Sequence, residues 1–388
     1  MNAVAGWDRR TLVDGAGLRI AMVSTPWYSL PPTGYGGIEA MVAVLVDALV
    51  EAGHEVTVIG VGRPGTAGHF ISTNGVPDAA RVGTVGPEVL HASRTAELLQ
   101  HLDLDVIHDH STVGPLQAGM RTVPTVVTAH GPVGGEFGQY YAAIDDSVHL
   151  VAISAAQRAQ APALDWAGLV HNAVRTDDYP FAARKQDYVV YLGRVSEEKG
   201  AHLAIEAARA AGYPIVLAGP CTAPDDRQYF EREVRPLLGP DARWIGEAGF
   251  AAKVGLLANA RCLVFPIEWE EPFGMVMIEA MACGTPIVAL RRGSVPEIVV
   301  DGVTGFIRDR ADELAKAIQQ VDILDPLACR RRVRREFDTS QMAAGYERIY
   351  RQVAKSSGAY LESLCNGEPR QLTAFPSGAR VEVLDPSG

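Results

Sequence analysis

The sequence predicts an α/β protein of two doubly wound domains that face each other across a cleft. Three observations predict it. The chain has 388 residues, enough for two domains of roughly 150 residues each. Short apolar runs alternate with segments of helical period, the pattern of parallel strands covered on both faces. The alternation halts near 175–187 (RTDDYPFAARKQD), a polar stretch containing Pro180, and then restarts.

Residues 1–17 read as an irregular leader. LRIAMVS (18–24) is the first strand, followed by a Pro/Gly-rich loop, TPWYSLPPTGYGG (25–37). IEAMVAVLVDALVEAG (38–53) has apolar residues at helical spacing and stops at Gly53. EVTVIGV (55–61), DVIHDH (105–110), TVVTAH (125–130), HLVAIS (149–154) and GLVHN (168–172) are strands of the first domain, 18–180. The second domain, 181–337, restarts with the strand YVVYLG (188–193) and the helix AHLAIEAARAAG (201–212). YPIVLAG (213–219), ARWIG (242–246), RCLVFPI (261–267) and TPIVAL (285–290) are its further strands. ADELAKAIQQVDIL (311–324) and LACRRRVRREF (327–337) are helical, a last helix spans 338–355, and 356–388 is a Gly/Pro/Ser-rich surface tail.

Composition excludes several classes. Hydrophobic residues are 47% and charged residues 21%, so the chain can bury real cores and is not disordered as a whole. The net charge is −11, the wrong sign for a general nucleic-acid binder. Residues 1–180 hold nine Arg, no Lys and eighteen Asp or Glu, which disfavours association with an anionic membrane surface. Five cysteines, none at C-x-x-C spacing, make neither a disulfide framework nor a zinc site. The first 17 residues lack an apolar core, so no signal peptide is expected, and the sequence holds no run of about 20 apolar residues. The expected location is the cytoplasm.

In open α/β sheets ligands bind outside the carboxyl ends of the strands, here in the cleft between domains. The loop before the first helix carries Gly34, Gly36 and Gly37. Glycines let backbone approach an anion at a helix N-terminus, or simply permit a tight turn. A dinucleotide fingerprint would need a third Gly where Glu39 stands and an acidic residue near VGRPG (61–65), so an NAD site is rejected. In GRVSEEKG (193–200), Arg194 and Lys199 lie between a strand end and a helix start. They suit a diphosphate, or they are surface charges paired with Glu197 and Glu198.

IEWEEPFGMVMIEAMACGTPIVAL (267–290) is more specific. Glu268, Glu270 and Glu271 crowd one loop, a helix begins near Gly274, and Glu279 follows in an apolar run. Such carboxylates accept hydrogen bonds from sugar hydroxyls, while the amides near Gly274, Met275 and Val276 donate. His130 ends its strand and points at the cleft, unless it is a satisfied structural histidine. His108 is expected to be buried. A metal at His108, Asp109 and His110 is disfavoured because consecutive strand residues face opposite ways. Asp103 and Asp105 resemble the Asp-x-Asp of other sugar transferases, but they precede a strand and are discounted.

Residues 188–307 resemble the nucleotide-sugar-binding domain of the family-4 retaining glycosyltransferases, through GRVSEEKG, EPFGMVMIEAMACGTPIVA (271–289) and GSVPEIVVDGVTGF (293–306). The first half is similar more loosely, through RIAMVS, GGIEAMVAVLVDALVEAGHEVTVI, DVIHDHS and HNAVRTDDY. The resemblance implies the GT-B fold: two Rossmann-like domains and a C-terminal helix crossing back to the first. It implies that Arg194 and Lys199 bind the donor diphosphate and that Glu279 holds the ribose. Glu271 would contact the transferred hexose, helped by amides from Phe273 to Val276. Gly36 and Gly37 would place N–H groups near the phosphates, and His130 would touch the sugar near its sixth carbon. Asn172 carries over only weakly, since HNAVRTDDY departs from the family's turn.

The function so implied is metal-independent, retaining transfer of a hexose from a UDP- or GDP-linked sugar to an acceptor hydroxyl, with no cofactor. The acceptor, a sugar, glycolipid or small metabolite, would meet the loops at 26–37 and 131–146. The rival readings are a sugar-nucleotide epimerase, a phosphorylase on the same fold, and an inactive nucleotide-sugar sensor.

Overall fold

A computed structural model describes residues 16–34 and 36–365. The expected leader and tail fall largely outside those residues. The first half holds strands β1 (Arg19–Val23), β2 (Glu55–Val61), β3 (His69–Asn74), β4 (Val106–Asp109), β5 (Thr125–Ala129), β6 (His149–Ala152) and β7 (Trp166–Leu169). Its helices are α1 (Gly37–Glu51), α2 (Val85–Leu99), α3 (Gly135–Ile144) and α4 (Ala155–Gln160). All seven strands are parallel, in the order β3-β2-β1-β4-β5-β6-β7.

The second half repeats the plan. Its strands are β8 (Val189–Leu192), β9 (Ile215–Ala218), β10 (Ala242–Trp244), β11 (Leu263–Phe265), β12 (Ile287–Leu290) and β13 (Gly305–Arg308). They form a parallel sheet in the order β10-β9-β8-β11-β12-β13. The helices are α5 (Ala201–Ala211), α6 (Pro224–Tyr229), α7 (Phe250–Asn259), α8 (Met275–Ala282), α9 (Val295–Ile298), α10 (Leu314–Gln320) and α11 (Pro326–Glu336), and α12 (Thr339–Cys365) closes the described chain. Strand order reverses beside β1 in one sheet and beside β8 in the other. Each reversal opens a crevice where loops diverge, and these two crevices face the same cavity.

Strand cores are fully buried because both sheet faces are covered: β8, β9 and β12 have every residue buried. α12 returns to the first sheet. Its Met342, Tyr346, Ile349, Tyr350 and Val353 pack with Ile20, Met22, Leu45 and Val126. The contact is close: a Cβ on Gly168 would lie 2.7 Å from Ile349 Cδ1. Two hydroxyls pin the crossing, Tyr350 to His108 Nδ1 at 2.7 Å and Tyr346 to Thr128 at 2.8 Å.

Several boundaries differ from the sequence expectation. The strand expected at 168–172 lies at Trp166–Leu169, so His171 and Asn172 belong to the connection between domains. β3 lies outside the sequence expectation because four of the six residues of HFISTN are polar, as an edge strand permits. The last helix does not stop at 355 but continues to Cys365. AYLESLC (359–365) carries good helix formers, and no proline follows until Pro369.

Candidate active site

Loops from the carboxyl ends of both sheets enclose one cavity of about 980 Å³. Its lining includes Gly36, Gly37, His130, Arg194, Lys199, Glu271, Phe273, Gly274, Met275, Val276 and Glu279. The fold thus brings these predicted donor-binding and catalytic positions to one place, while Asp103, Asp105, His108, Glu268 and Glu270 lie outside the lining.

The β8–α5 turn is shaped by glycine. A Cβ on Gly219 would fall 1.8 Å from the Gly193 carbonyl, so the ends of β8 and β9 approach without side chains. This leaves the backbone open beside Arg194. The Arg194 guanidinium binds Glu198 and stays 4.0 Å from the buried Asp226. Lys199 makes an ion pair across the cleft floor with Glu271, and its ammonium sits 5.1 Å from the Trp269 ring centroid. Trp269 Nε1 donates to the same Glu271 carboxylate at 2.9 Å.

The crowded acids do not repel one another in place. Glu271 faces Lys199, while Glu270 turns away to accept the Gly293 N–H at 2.6 Å. The Glu271 backbone is clamped as well, its carbonyl accepting from Ser294 N at 3.1 Å. Gly293, at φ 47°, lies so near that a Cβ would sit 2.2 Å from that carbonyl. Gly274, at φ 80°, is the N-cap of α8 and presents the amides of the first turn to the cavity.

Glu279 is buried against Lys253, whose ammonium reaches Oε1 at 2.6 Å, and it accepts the Tyr179 hydroxyl at 3.2 Å. Burial and the neighbouring Glu279 charge push the Tyr179 phenol far above its ordinary range, so it stays a donor. Opposite, Gly36 caps α1 at φ 144°. Glu39, which breaks the dinucleotide fingerprint, is a buried carboxyl that accepts from the Thr25 hydroxyl. Burial raises its pKa.

His130 is not alone. Its Nε2 meets His110 Nδ1 at 2.8 Å, and His110 Nε2 lies 3.1 Å from the Met22 sulfur. A thioether only accepts, so His110 carries its proton on Nε2. Its Nδ1 then accepts from His130 Nε2–H, which leaves the other His130 nitrogen bare. Burial pulls the His130 pKa down to about 4, and the imidazole is neutral at ordinary pH. His108 is buried as expected, between Tyr350 and Thr128. Asp103 and Asp105 both bind Arg19 where β1 and β4 begin, at the opposite end of the sheet from the cavity.

Sequence reasoning missed Lys253, Tyr179, Trp269 and Glu297. Lys253 had a signal, a lone cation within FAAKVGLLA. Glu297, in the quoted GSVPEIVV motif, crosses to the other domain. It accepts the N–H groups of Ala155 and Ala156 at 2.8 and 2.7 Å and His171 Nε2 at 3.1 Å. Burial raises its pKa, but these bonds outweigh burial and hold it below the ordinary range.

Residues 177–334 match the family profile described as glycosyl transferases group 1, and residues 35–177 match glycosyltransferase family 4. A glycogen synthase of Mycobacterium tuberculosis is 30% identical over 398 residues, covering 86% of this chain and 94% of that protein. The chain belongs to the group 1 glycosyltransferases. It is therefore a glycosyltransferase by family, and its two parallel sheets are the GT-B fold. The α-maltose-1-phosphate synthase of the same species is 28% identical, with 87% of this chain and 100% of that protein covered. A solved glycosyltransferase involved in avilamycin A biosynthesis matches this glycosyltransferase with a TM-score of 0.67 and 27% identity, covering 87% of this chain and 98% of its own. Among the described residues, no helix is long and apolar enough to cross a membrane.

Proposed function

We propose that this glycosyltransferase moves a hexose from a nucleoside-diphosphate sugar, UDP- or GDP-linked, to an acceptor hydroxyl, with retention and without a metal. One observation carries the reading: Arg194, Lys199 and the first-turn amides of α8 converge on the same cavity as Glu271 and Glu279. The diphosphate would lie against Arg194, Lys199 and those amides, and Glu279 would take the ribose hydroxyls. Glu271 would hold a hexose hydroxyl and His130 another, its bare nitrogen accepting.

As the bond from the anomeric carbon to the phosphate oxygen breaks, its electron pair stays on the diphosphate. Charge develops there, where preorganised donors lower the barrier most. The acceptor oxygen attacks the same face, and its proton passes to the departing phosphate oxygen. Glu271 is already gripped by Lys199 and Trp269, an arrangement suited to orienting a hydroxyl rather than attacking carbon. The Asp103–Arg19–Asp105 cluster favours a structural use for the Asp-x-Asp pair. We place the reaction in the cytoplasm; the four described cysteines are free thiols, as a reducing compartment keeps them.

A thermal-shift panel of nucleotides and sugar nucleotides tests the donor. A ligand at about 100 times its Kd adds roughly 2.7 kcal/mol. Stabilisation by UDP or GDP is expected, and no shift with any nucleoside diphosphate overturns the reading. Proton NMR of the initial product reads the anomeric configuration, and an inverted product overturns retention. Transfer should persist in excess chelator. Loss on chelation restored by magnesium or manganese overturns metal independence.

A further inference from the structure

The two walls of the cavity differ in charge. On the wall built from the second domain, the lining balances the cations Arg194, Lys199 and Lys253 against Glu247, Glu271 and Glu279, with Lys199 paired to Glu271 and Lys253 to Glu279. On the wall from the first domain and the connection, the described lining carries the acids Glu39, Asp47, Glu88 and Asp178 against one cation, Arg175. Arg175 is taken up by Glu51 at 2.9 Å. Glu88 is 6% exposed and accepts the Thr112 N–H at 3.3 Å, which sets its carboxyl in the same wall.

Besides hydroxyls and histidines, that wall carries an aromatic face. Tyr140 is fixed by donating to the Thr112 carbonyl at 2.6 Å, and Tyr141 braces it edge-on with centroids 5.1 Å apart. Phe137, 49% exposed, extends this face to the mouth of the cavity. Trp27 and Tyr141, by contrast, are buried and mainly pack.

A phosphate or carboxylate seated on Phe137 and Tyr140 would lose water without gaining a cation from this wall, and it would meet the Glu88 carboxyl held beside Tyr140 through Thr112. Such a burial is costly, and like charges set against each other add to the cost. A neutral pyranose loses little, because its C–H face covers aromatic carbon while its hydroxyls bond to acids and carbonyls. We propose that the acceptor is an uncharged saccharide or glycoside seated on Phe137 and Tyr140, and that the acidic wall excludes phosphorylated acceptors. This rests on the donor diphosphate lying against Arg194 and Lys199 on the opposite wall. The relatives divide at this point by name, one making glycogen and another a sugar phosphate.

The test uses the full chain and the sugar nucleotide that stabilises it most. Initial rates are measured for glucose against glucose 1-phosphate, fructose against fructose 6-phosphate, and for maltose, maltooligosaccharides and p-nitrophenyl glucosides. The neutral member of each pair is expected to react with at least about tenfold higher kcat/KM, equivalent to 1.4 kcal/mol. Phe137→Ala should raise the acceptor KM several-fold and leave the nucleotide thermal shift unchanged. Preference for a phosphorylated acceptor overturns the proposal. So does a wholly inert neutral panel with a protein that nucleotide stabilises, and the donor reading then survives. If no nucleotide stabilises the protein, the donor reading falls first and this one with it.

Discussion

Lys199 and Glu271 neutralise each other in the cavity, yet each is positioned for a different part of the donor. Replacing either should therefore have separable effects. Arg194→Ala and Lys199→Ala each remove one charge-assisted contact, worth about 1.5–3 kcal/mol. A fall in kcat/KM of roughly tenfold to hundredfold is expected, with the melting temperature almost unchanged because both side chains lie in the cavity lining. Normal turnover in both variants would remove the diphosphate assignment. Glu271→Gln keeps the shape and deletes the charge. Turnover should drop by ~10²-fold, the scale of one preorganised electrostatic contact, while the nucleotide thermal shift persists through Arg194, Lys199 and Glu279. A fully active Glu271→Gln would strip the residue of its role and leave the family unaffected.

At the scale of elements, the N-terminus of α8 depends on one left-handed glycine. Gly274→Ala would force φ near 80° on an L residue and put a Cβ 2.8 Å from Met277 Cε and 3.0 Å from Phe265 Cζ. Backbone strain of this kind costs on the order of 1–3 kcal/mol. Lower stability in urea and a weaker nucleotide shift should appear together, since the same turn carries the amides. Unchanged stability would show that the turn relaxes without loss. The clamp between domains is equally local. Glu297 caps α4 from across the cleft, and Arg330 on α11 donates to the carbonyls of Tyr179, Ala282 and Thr176. Element boundaries were legible in the sequence where burial is two-sided, as in β8 and β12. They were not legible at β3 or at the end of α12, where local pattern and tertiary packing disagree.

Across the whole molecule, three histidines on neighbouring strands are held neutral, His108 and His110 buried and His130 half-buried at the cavity. Burial pulls His130 to about 4 and lowers His108 and His110 well below 6.5. The sign follows from linkage. Each folded-state pKa lies below its unfolded value, so the unfolded chain binds more protons. The stability is complete above pH 6.5 and is lost as pH falls toward 4. For His130 alone the loss is on the order of 2–3 kcal/mol. Urea midpoints at pH 7.5, 6, 5 and 4.5 should fall steadily, and His130→Gln should flatten the dependence. A flat profile in the wild type would contradict the burial. Tyr350→Phe should also loosen the crossing of α12, costing about 1 kcal/mol for one buried hydrogen bond.

The alternation of apolar runs and helical periods determined two parallel sheets, because strand burial on both faces leaves that imprint locally. The residue types at strand ends determined which positions can bind anions and sugar hydroxyls, since Arg194, Lys199, Glu271 and Glu279 each stand beside a helix start or within its first turns. Tertiary structure alone decided their partners. Lys253 reaches Glu279, Trp269 reaches Glu271, His110 sets the proton on His130, and Glu297 caps a helix of the other domain. The Lys253, His110 and Glu297 contacts join residues 20 or more apart in sequence. No local spacing encodes such contacts, because they exist only once elements distant in the chain pack side by side: α7 against α8, β4 against β5, and, for Glu297, one domain against the other.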